Sequence, residues 1–101
     1  MPNFVRVAQT SDIPAGEGRS FEVEGKMIAV FNVNDTFHAI DNVCPHRGGP
    51  LGEGYLEHKT VTCPWHGWQF DVTCGKSTVN PTASVASLPV KIEGSEIFVE
   101  V

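Results

Sequence analysis

The sequence lacks the long apolar run that a membrane-spanning helix needs. No stretch approaches the roughly 18 apolar residues of such a helix, which argues against a protein that crosses a membrane. The N-terminal residues MPNFVR also lack a basic region followed by an apolar stretch, which is the pattern of a cleaved secretory signal. A cytoplasmic protein is therefore expected.

Basic residues are few. Seven Lys and Arg are scattered among twelve Asp and Glu, and the formal net charge is −5. Binding to nucleic acid depends on clustered Lys and Arg that contact phosphates, so this class of partner is excluded. An acidic protein of this kind is better suited to dock on a basic face of another protein.

Cysteine is also scarce, and its number is odd. Of the three cysteines, Cys44 and Cys63 stand close to histidines and do not form the evenly paired pattern of a disulfide framework. In a reducing compartment that arrangement is typical of metal ligands. Cys74 is left over in a predicted turn, where an unpaired thiol without a ligand role is expected.

A sustained 3.6-residue hydrophobic period is absent as well, so a mainly β protein is predicted. At 101 residues, without repeats or linkers, the chain is expected to be a single domain, residues 1–101. A domain of this size buries only a modest core, so a bound metal would add materially to its stability.

Two regions carry hairpin patterns. Residues 20–24 alternate in polarity, and Glu24-Gly25-Lys26 turns the chain into the apolar run 27–31. Residues 32–35 supply the next turn, and 36–40 then form a third predicted strand.

At the C-terminus, Val90 and Ile92 precede the turn 93–96, after which apolar residues recur at Ile97, Val99 and Val101 on one predicted face. Between the two β-rich ends lie residues 43–84, which are dense in Gly, Pro, Cys and His and poor in alternation. This middle part is predicted to be an inserted subdomain dominated by loops.

Two mixed ligand pairs occur in that middle part: Cys44-Pro45-His46 and Cys63-Pro64-Trp65-His66. Residues 61–63 and 68–72 indicate a hairpin around the second pair. One thiolate and one imidazole from each loop could converge on a tetrahedral Zn²⁺ or on a cluster of two irons and two sulfides. Zinc fingers commonly place two cysteines on one arm and two histidines on the other. Here each arm carries one of each, which suits two irons with unlike ligands.

These pairs resemble the signature of the Rieske proteins: Cys-x-His, a spacer of similar length, and Cys-x-x-His. Gly48-Gly49 after the first pair and Gly67 after the second extend the likeness, and residues 11–17 are similar to the N-terminal segment of Rieske-type ferredoxins. The resemblance thus covers nearly the whole chain. It implies an all-β Rieske iron–sulfur fold, with an antiparallel β-sandwich base and a loop-rich cluster-binding subdomain inserted at about 43–84.

The resemblance also implies the ligands. One [2Fe-2S] cluster per chain is expected, with Cys44 and Cys63 on the buried iron and His46 and His66 on the outer one. Residues 80–82, Asn-Pro-Thr, are similar to the family's third, proline-containing loop, which covers the cluster.

Four positions depart from the Rieske proteins of cytochrome bc complexes. Those proteins carry a further cysteine in each loop, joined as a disulfide; Gly49 and Trp65 stand there in this sequence. They also carry a serine and a tyrosine whose hydroxyls donate to sulfur, where Trp68 and Phe70 stand here. Fewer hydrogen bonds leave the reduced cluster less stabilised. We therefore expect a potential toward the low end of the Rieske range of about −150 to +300 mV.

The expected function is electron transfer without catalysis. Catalysis of oxidation at a mononuclear iron would need a site of two histidines and a carboxylate. Apart from the predicted cluster ligands, the histidines of the sequence are His38 and His58, and both are expected to be structural or solvent-facing. The sequence predicts a monomeric ferredoxin that takes one electron from a flavin-dependent, NAD(P)H-oxidising reductase. It would pass that electron to a terminal non-haem iron oxygenase that acts on aromatic rings, and partners would dock near His46 and His66.

Two alternatives stay open. The chain also resembles the small subunits of assimilatory nitrite reductases, in which case it would be a permanent subunit. A zinc-stabilised interaction module would need no redox chemistry.

Overall fold

The structure, a computed structural model, describes residues 4–43, 50–64, 67–78 and 83–100. These residues form short strands and two single-turn 3-10 helices, Thr10–Asp12 and Leu51–Glu53. The strands are β1 (Phe4–Gln9), β2 (Gly18–Val23), β3 (Lys26–Val33), β4 (Thr36–Asp41), β5 (Tyr55–Glu57), β6 (Thr60–Thr62), β7 (Gln69–Asp71), β8 (Ser87–Leu88), β9 (Val90–Glu93) and β10 (Glu96–Glu100).

The strands pair antiparallel in three sheets within the described residues. The first sheet has the order β1-β10-β9, the second β2-β3-β4-β8, and the third β5-β6-β7. The third sheet lies wholly within 43–84, the range predicted to carry the metal ligands. The all-β expectation is confirmed.

Strand β3 is the centre of the molecule because both of its faces are covered. Val30 and Ile28 pack into a core shared with Ile97 and Val99 of β10, which joins the first two sheets as a sandwich. Phe31, on the other face of β3, packs into a second core beneath the third sheet. Each fully buried side chain of this size contributes about 1.5–3 kcal/mol. A strand covered on both faces explains the unbroken apolar run that the sequence shows at 27–31.

Two tight turns link β2, β3 and β4. The first uses Glu24 (φ 51°) and Gly25 (φ 80°), and the second Asn34 (φ 52°) and Asp35 (φ 69°). Positive φ at both central residues is the type I′ geometry that matches strand twist. The predicted hairpins are confirmed. The predicted turn at 32–35 is too long, however, because Asn32 and Val33 still pair within the sheet.

The C-terminal hairpin is confirmed for β9 and β10, with Ile97 and Val99 buried on one face. Val101 lies outside the described residues. Strand β1 has no counterpart among the sequence predictions. It pairs with β10 at the other end of the chain, and a bulge between Arg6 and Ala8 interrupts its register.

Candidate metal centre

Cys63 is the predicted ligand whose surroundings are described; Cys44, His46 and His66 lie outside the described residues. Within 4–43, 50–64, 67–78 and 83–100, no three His, Cys, Asp or Glu side chains are grouped so as to hold a metal ion. The predicted four-residue ligand set therefore stays a prediction, and its surroundings are what the structure defines.

Cys63 directly follows strand β6 and is only 3% exposed. Its neighbours in the core are apolar, among them Leu51, Val61 and Phe70, all fully buried. A thiolate in such a place needs a compensating positive partner, because burying an isolated charge is costly. Bound iron supplies that partner, and cysteine thiolate is the ligand that iron–sulfur clusters use. The surroundings of Cys63 thus fit an iron–sulfur group.

A backbone hydrogen bond closes the hairpin at Cys63. Its N–H donates to the carbonyl of Trp68 at 2.7 Å, and Val61 pairs with Phe70 just below. Gly67 has φ +75°, a left-handed conformation that side chains disfavour. The predicted hairpin around the second ligand pair is confirmed at its base, and the glycine of the signature has a backbone reason for being there.

The predicted ligands and the predicted third loop fall in three segments: residues 44–49, 63–66 and 79–82. The described residues that flank these segments are linked to one another. Val43 and Pro50 form a β-bridge on either side of the first segment. On either side of the third, the Ser77 N–H donates to the Ala83 carbonyl at 3.1 Å. Thr78 then donates to Gln69 at 2.9 Å, and Gln69 pairs with Thr62 of the second hairpin.

The predicted third loop, residues 80–82, lies outside the described residues, as do Gly49 and Trp65. Its flanks nevertheless connect to the hairpin of Cys63. Leu51, which follows the first segment, shares the same core as Cys63. All three segments therefore depart from one small region of the fold.

Phe70 and Trp68 occupy the positions where the resemblance places hydroxyl donors in high-potential relatives. Phe70 is fully buried in the core that contains Cys63, and Trp68 packs against that core while half-buried. Neither ring can donate an O–H hydrogen bond to sulfur.

Asp71, at the end of β7, anchors the hairpin in a way that the sequence analysis did not foresee. One carboxylate oxygen accepts the Thr73 N–H at 2.8 Å and the Thr73 hydroxyl at 2.5 Å. The other faces the Lys59 ammonium at 3.6 Å, across the sheet. Burial raises the pKa of Asp71, but the Thr73 hydrogen bonds and the Lys59 charge outweigh it and lower that pKa below its ordinary value. The Asp-x-Thr spacing is a turn signal that could have revealed this contact.

Replacing Asp71 by Asn is expected to lower the free energy of unfolding at pH 7 by about 1–2 kcal/mol, since the Thr73 hydrogen bonds lose their charged acceptor and Lys59 loses its counter-charge. A carboxylate whose folded pKa is depressed stabilises the protein above the unfolded pKa, near 4, and this contribution is lost as the pH falls through the folded pKa. The difference in stability between the wild type and Asp71→Asn should therefore shrink progressively below about pH 5. Thermal unfolding midpoints of both proteins between pH 7 and pH 3, at a fixed scan rate, measure it.

The matched control is Glu57→Gln, which removes the same charge from an exposed position at the end of strand β5. A surface change of this kind should alter stability by no more than about 0.5 kcal/mol. A difference between wild type and Asp71→Asn that stayed constant across the pH range would contradict the role given to the Asp71 charge.

The remaining candidate residues are Cys74, His38 and His58. Cys74 is exposed and lies in the predicted turn after β7. His38 lies in β4 and is half-buried, and His58 is exposed in the turn between β5 and β6 with φ 57°.

Residues 3–89 match the family model of the Rieske [2Fe-2S] domain. The chain belongs to the Rieske family. An iron–sulfur cofactor follows from that membership. The chain is also 35% identical over 99 residues to the ferredoxin component of a naphthalene 1,2-dioxygenase/salicylate 5-hydroxylase system from a Ralstonia species, covering 97% of this chain and 95% of the relative. The sequence resemblance to Rieske-type ferredoxins is thereby confirmed.

Two solved structures bear on the role of this Rieske protein. One is a chain from a complex of reduced oxygenase and oxidised ferredoxin in carbazole 1,9a-dioxygenase, with a TM-score of 0.88, 29% identity, and 96% of this chain and 92% of that chain covered. The other is a nitrite reductase small subunit, described as putative and NADH-dependent, from Mycobacterium tuberculosis. It has a TM-score of 0.90 but only 21% identity, covering 98% and 95%. The second likeness shows the fold alone.

The curated relative is a ferredoxin component, which carries electrons and is distinct from the catalytic component of its system. This agrees with the expectation of a non-catalytic electron-transfer protein. Within the described residues of the Rieske protein, no helix is both long and apolar enough to cross a membrane.

Proposed function

We propose that this Rieske protein is a one-electron carrier between a flavin-dependent, NAD(P)H-oxidising reductase and a terminal non-haem iron oxygenase that acts on an aromatic ring. The observation that carries the proposal is the alignment, over nearly the full length of both chains, with a ferredoxin component of a dioxygenase system. A chain from an oxygenase–ferredoxin complex with the same fold supports the oxygenase as the partner.

In this proposal, residues of about 43–84 bind one [2Fe-2S] cluster per chain. Cys44 and Cys63 ligate one iron, and His46 and His66 ligate the other. When bound, the cluster supplies reversible one-electron chemistry. The protein's own contribution begins with Cys63, whose apolar neighbours keep water from its sulfur. Solvent exposure and hydrogen bonds to sulfur are two of the factors that set the potential of such a group.

Docking is proposed near His46 and His66, so that the partner meets the histidine-ligated end. The net charge of −5 favours a partner with a basic face, and long-range attraction between opposite charges speeds such an encounter. A cytoplasmic location and a monomeric state belong to the same proposal. Cell fractionation and analytical ultracentrifugation of the loaded protein test them.

Reconstitution is the experiment for the function as a whole. The loaded protein is combined with NADH, a flavin-dependent reductase and a terminal oxygenase purified from the same cells. Product formation should require this protein and saturate as its concentration rises. Reductive titration should consume one electron per chain. Undiminished product formation in its absence would contradict the carrier role.

The nitrite reductase alternative is supported by shared fold alone. It predicts a stable complex with a sirohaem enzyme, so co-purification from native cells separates a permanent subunit from a shuttle. The zinc-module alternative predicts a colourless protein with one zinc per chain. Metal analysis of the protein as isolated distinguishes it from the iron–sulfur protein.

A further inference from the structure

We infer that Asn42 is a positioning residue for the cluster, because its buried side chain clamps together the two ends of the segment that carries Cys44 and His46. The inference rests on the proposed function, in which that segment supplies two of the four ligands. Asn42 follows strand β4 and immediately precedes the Val43–Pro50 bridge.

Asn42 is 4% exposed and makes polar contacts on both sides of the segment. Its Oδ1 accepts the backbone N–H of Gly52 at 2.7 Å and the Ser20 hydroxyl at 3.0 Å. Its own carbonyl accepts the N–H of Leu51 at 2.8 Å. The N–H groups of Leu51 and Gly52, shortly after residues 44–49, are therefore both bonded to Asn42, which lies two positions before Cys44.

The close approach to strand β2 leaves no space for a side chain at Gly52. A Cβ atom there would lie 2.5 Å from the Ser20 hydroxyl oxygen and 2.8 Å from the Arg19 carbonyl oxygen. The chain after the segment is thus pressed against strand β2. Without the Asn42 acceptor, the buried Gly52 N–H either stays unsatisfied, at a cost of about 1–3 kcal/mol, or moves and displaces the end of the segment.

The clamp also bears on the position of the residues that follow the first ligand segment relative to Cys63. The Asn42 side chain holds Gly52, and the preceding residue, Leu51, is fully buried in the core that contains Cys63 and Phe70. A shift of Leu51 would change the distance between Cys63 and the residues that follow the segment 44–49. Some residues orient a metal ligand without binding the metal themselves. Removing such a residue commonly changes metal affinity by roughly 10–100-fold.

Asn32 is a matched control within the same chain. It is 3% exposed, its Oδ1 accepts the Asp35 N–H at 2.7 Å, and its Nδ2 donates to the Ile13 carbonyl at 2.8 Å. Its burial and hydrogen bonding are therefore close to those of Asn42. It lies, however, at the opposite end of the β3–β4 hairpin from the ligand segment.

The experiment compares Asn42→Ala and Asn32→Ala with the wild type, each loaded with cluster. The rate at which visible absorbance is lost in excess iron chelator is measured at a temperature at which circular dichroism shows all three folded. We expect about tenfold faster loss for Asn42→Ala and a change of less than about twofold for Asn32→Ala. The electron paramagnetic resonance g values of the reduced protein should shift in Asn42→Ala alone.

Ser20→Ala keeps the result interpretable if Asn42→Ala does not fold. It removes one of the two donors to Oδ1 and should accelerate cluster loss by a smaller factor, about two- to threefold. Equal loss rates and unchanged g values for the Asn42 and Asn32 variants would overturn the inference, as would a wild-type rate in Ser20→Ala. Those outcomes leave the proposed function intact, whereas a wild type that binds no iron defeats both.

Discussion

Replacing Cys63 by serine is expected to abolish the visible absorbance of the protein and to lower its thermal stability. A serine hydroxyl is a poor substitute for the thiolate ligand, and ligand binding is coupled to folding in small metal-binding domains. The new hydroxyl would also lie among fully buried apolar side chains, where an unsatisfied polar group costs about 1–3 kcal/mol. Absorbance, iron content and the thermal unfolding midpoint measure the two effects.

Two controls separate the ligand effect from packing. Cys74→Ser changes an exposed thiol in a turn and should keep both the absorbance and the unfolding midpoint of the wild type. Cys63→Ala removes the sulfur without adding a buried hydroxyl, so it should lose the cluster but destabilise the polypeptide less than serine does. A Cys63→Ser protein that kept its absorbance and its reduction potential would show that the ligand assignment is wrong.

Phe70→Tyr, alone and with Trp68→Ser, is expected to raise the midpoint potential. The resemblance places hydroxyl donors to sulfur at these two positions in high-potential relatives, and a donor stabilises the more negative, reduced state. If one such hydrogen bond favours the reduced state by about 1.4 kcal/mol, a one-electron couple shifts upward by about 60 mV. Phe70 shares a core with Cys63, so a hydroxyl on its ring enters the right region. Spectroelectrochemical titration of the variants measures the shift.

Phe31→Tyr is the matched control for that prediction. Phe31 is as fully buried as Phe70 and belongs to the same core, but its ring lies against Gly18 of strand β2. The midpoint should stay at the wild-type value in Phe31→Tyr. Equal shifts in both tyrosine variants would point to a general polarity effect, and no rise in Phe70→Tyr or in the double variant would reject the missing hydroxyls as the cause of a low potential.

Local patterns predicted the parts of the fold whose causes are local. The turn Glu24-Gly25 requires positive φ at both positions, and the sequence places a glycine there between two apolar runs. The hairpin at Cys63 follows in the same way from the pairing of Val61 with Phe70. Strand β1 escaped prediction because its partner, β10, is distant in sequence, and pairing at long range leaves no local signal.

In the candidate site, too, the locally determined features could be predicted from the sequence and the long-range contacts could not. The ligand residue types and their spacing can be read directly from the sequence, and they identified the resemblance to Rieske proteins. The family match confirmed that resemblance. The supports behind the ligands could not be identified in that way. Asn42 acts through Ser20 and Gly52, residues that only the folded chain brings to it, and a single asparagine before a cysteine carries no motif. Asp71 is intermediate, since its contact with Thr73 is local but its ion pair with Lys59 depends on the sheet.

The most direct test of the central claim is pulsed electron paramagnetic resonance of the dithionite-reduced protein, prepared with ¹⁵N-labelled histidine. If Cys44, His46, Cys63 and His66 hold a two-iron cluster with both imidazoles on one iron, the spectrum should contain couplings from two histidine nitrogens, and these should change with the label. A reduced protein without histidine couplings, or a colourless protein containing zinc in place of iron, would contradict it.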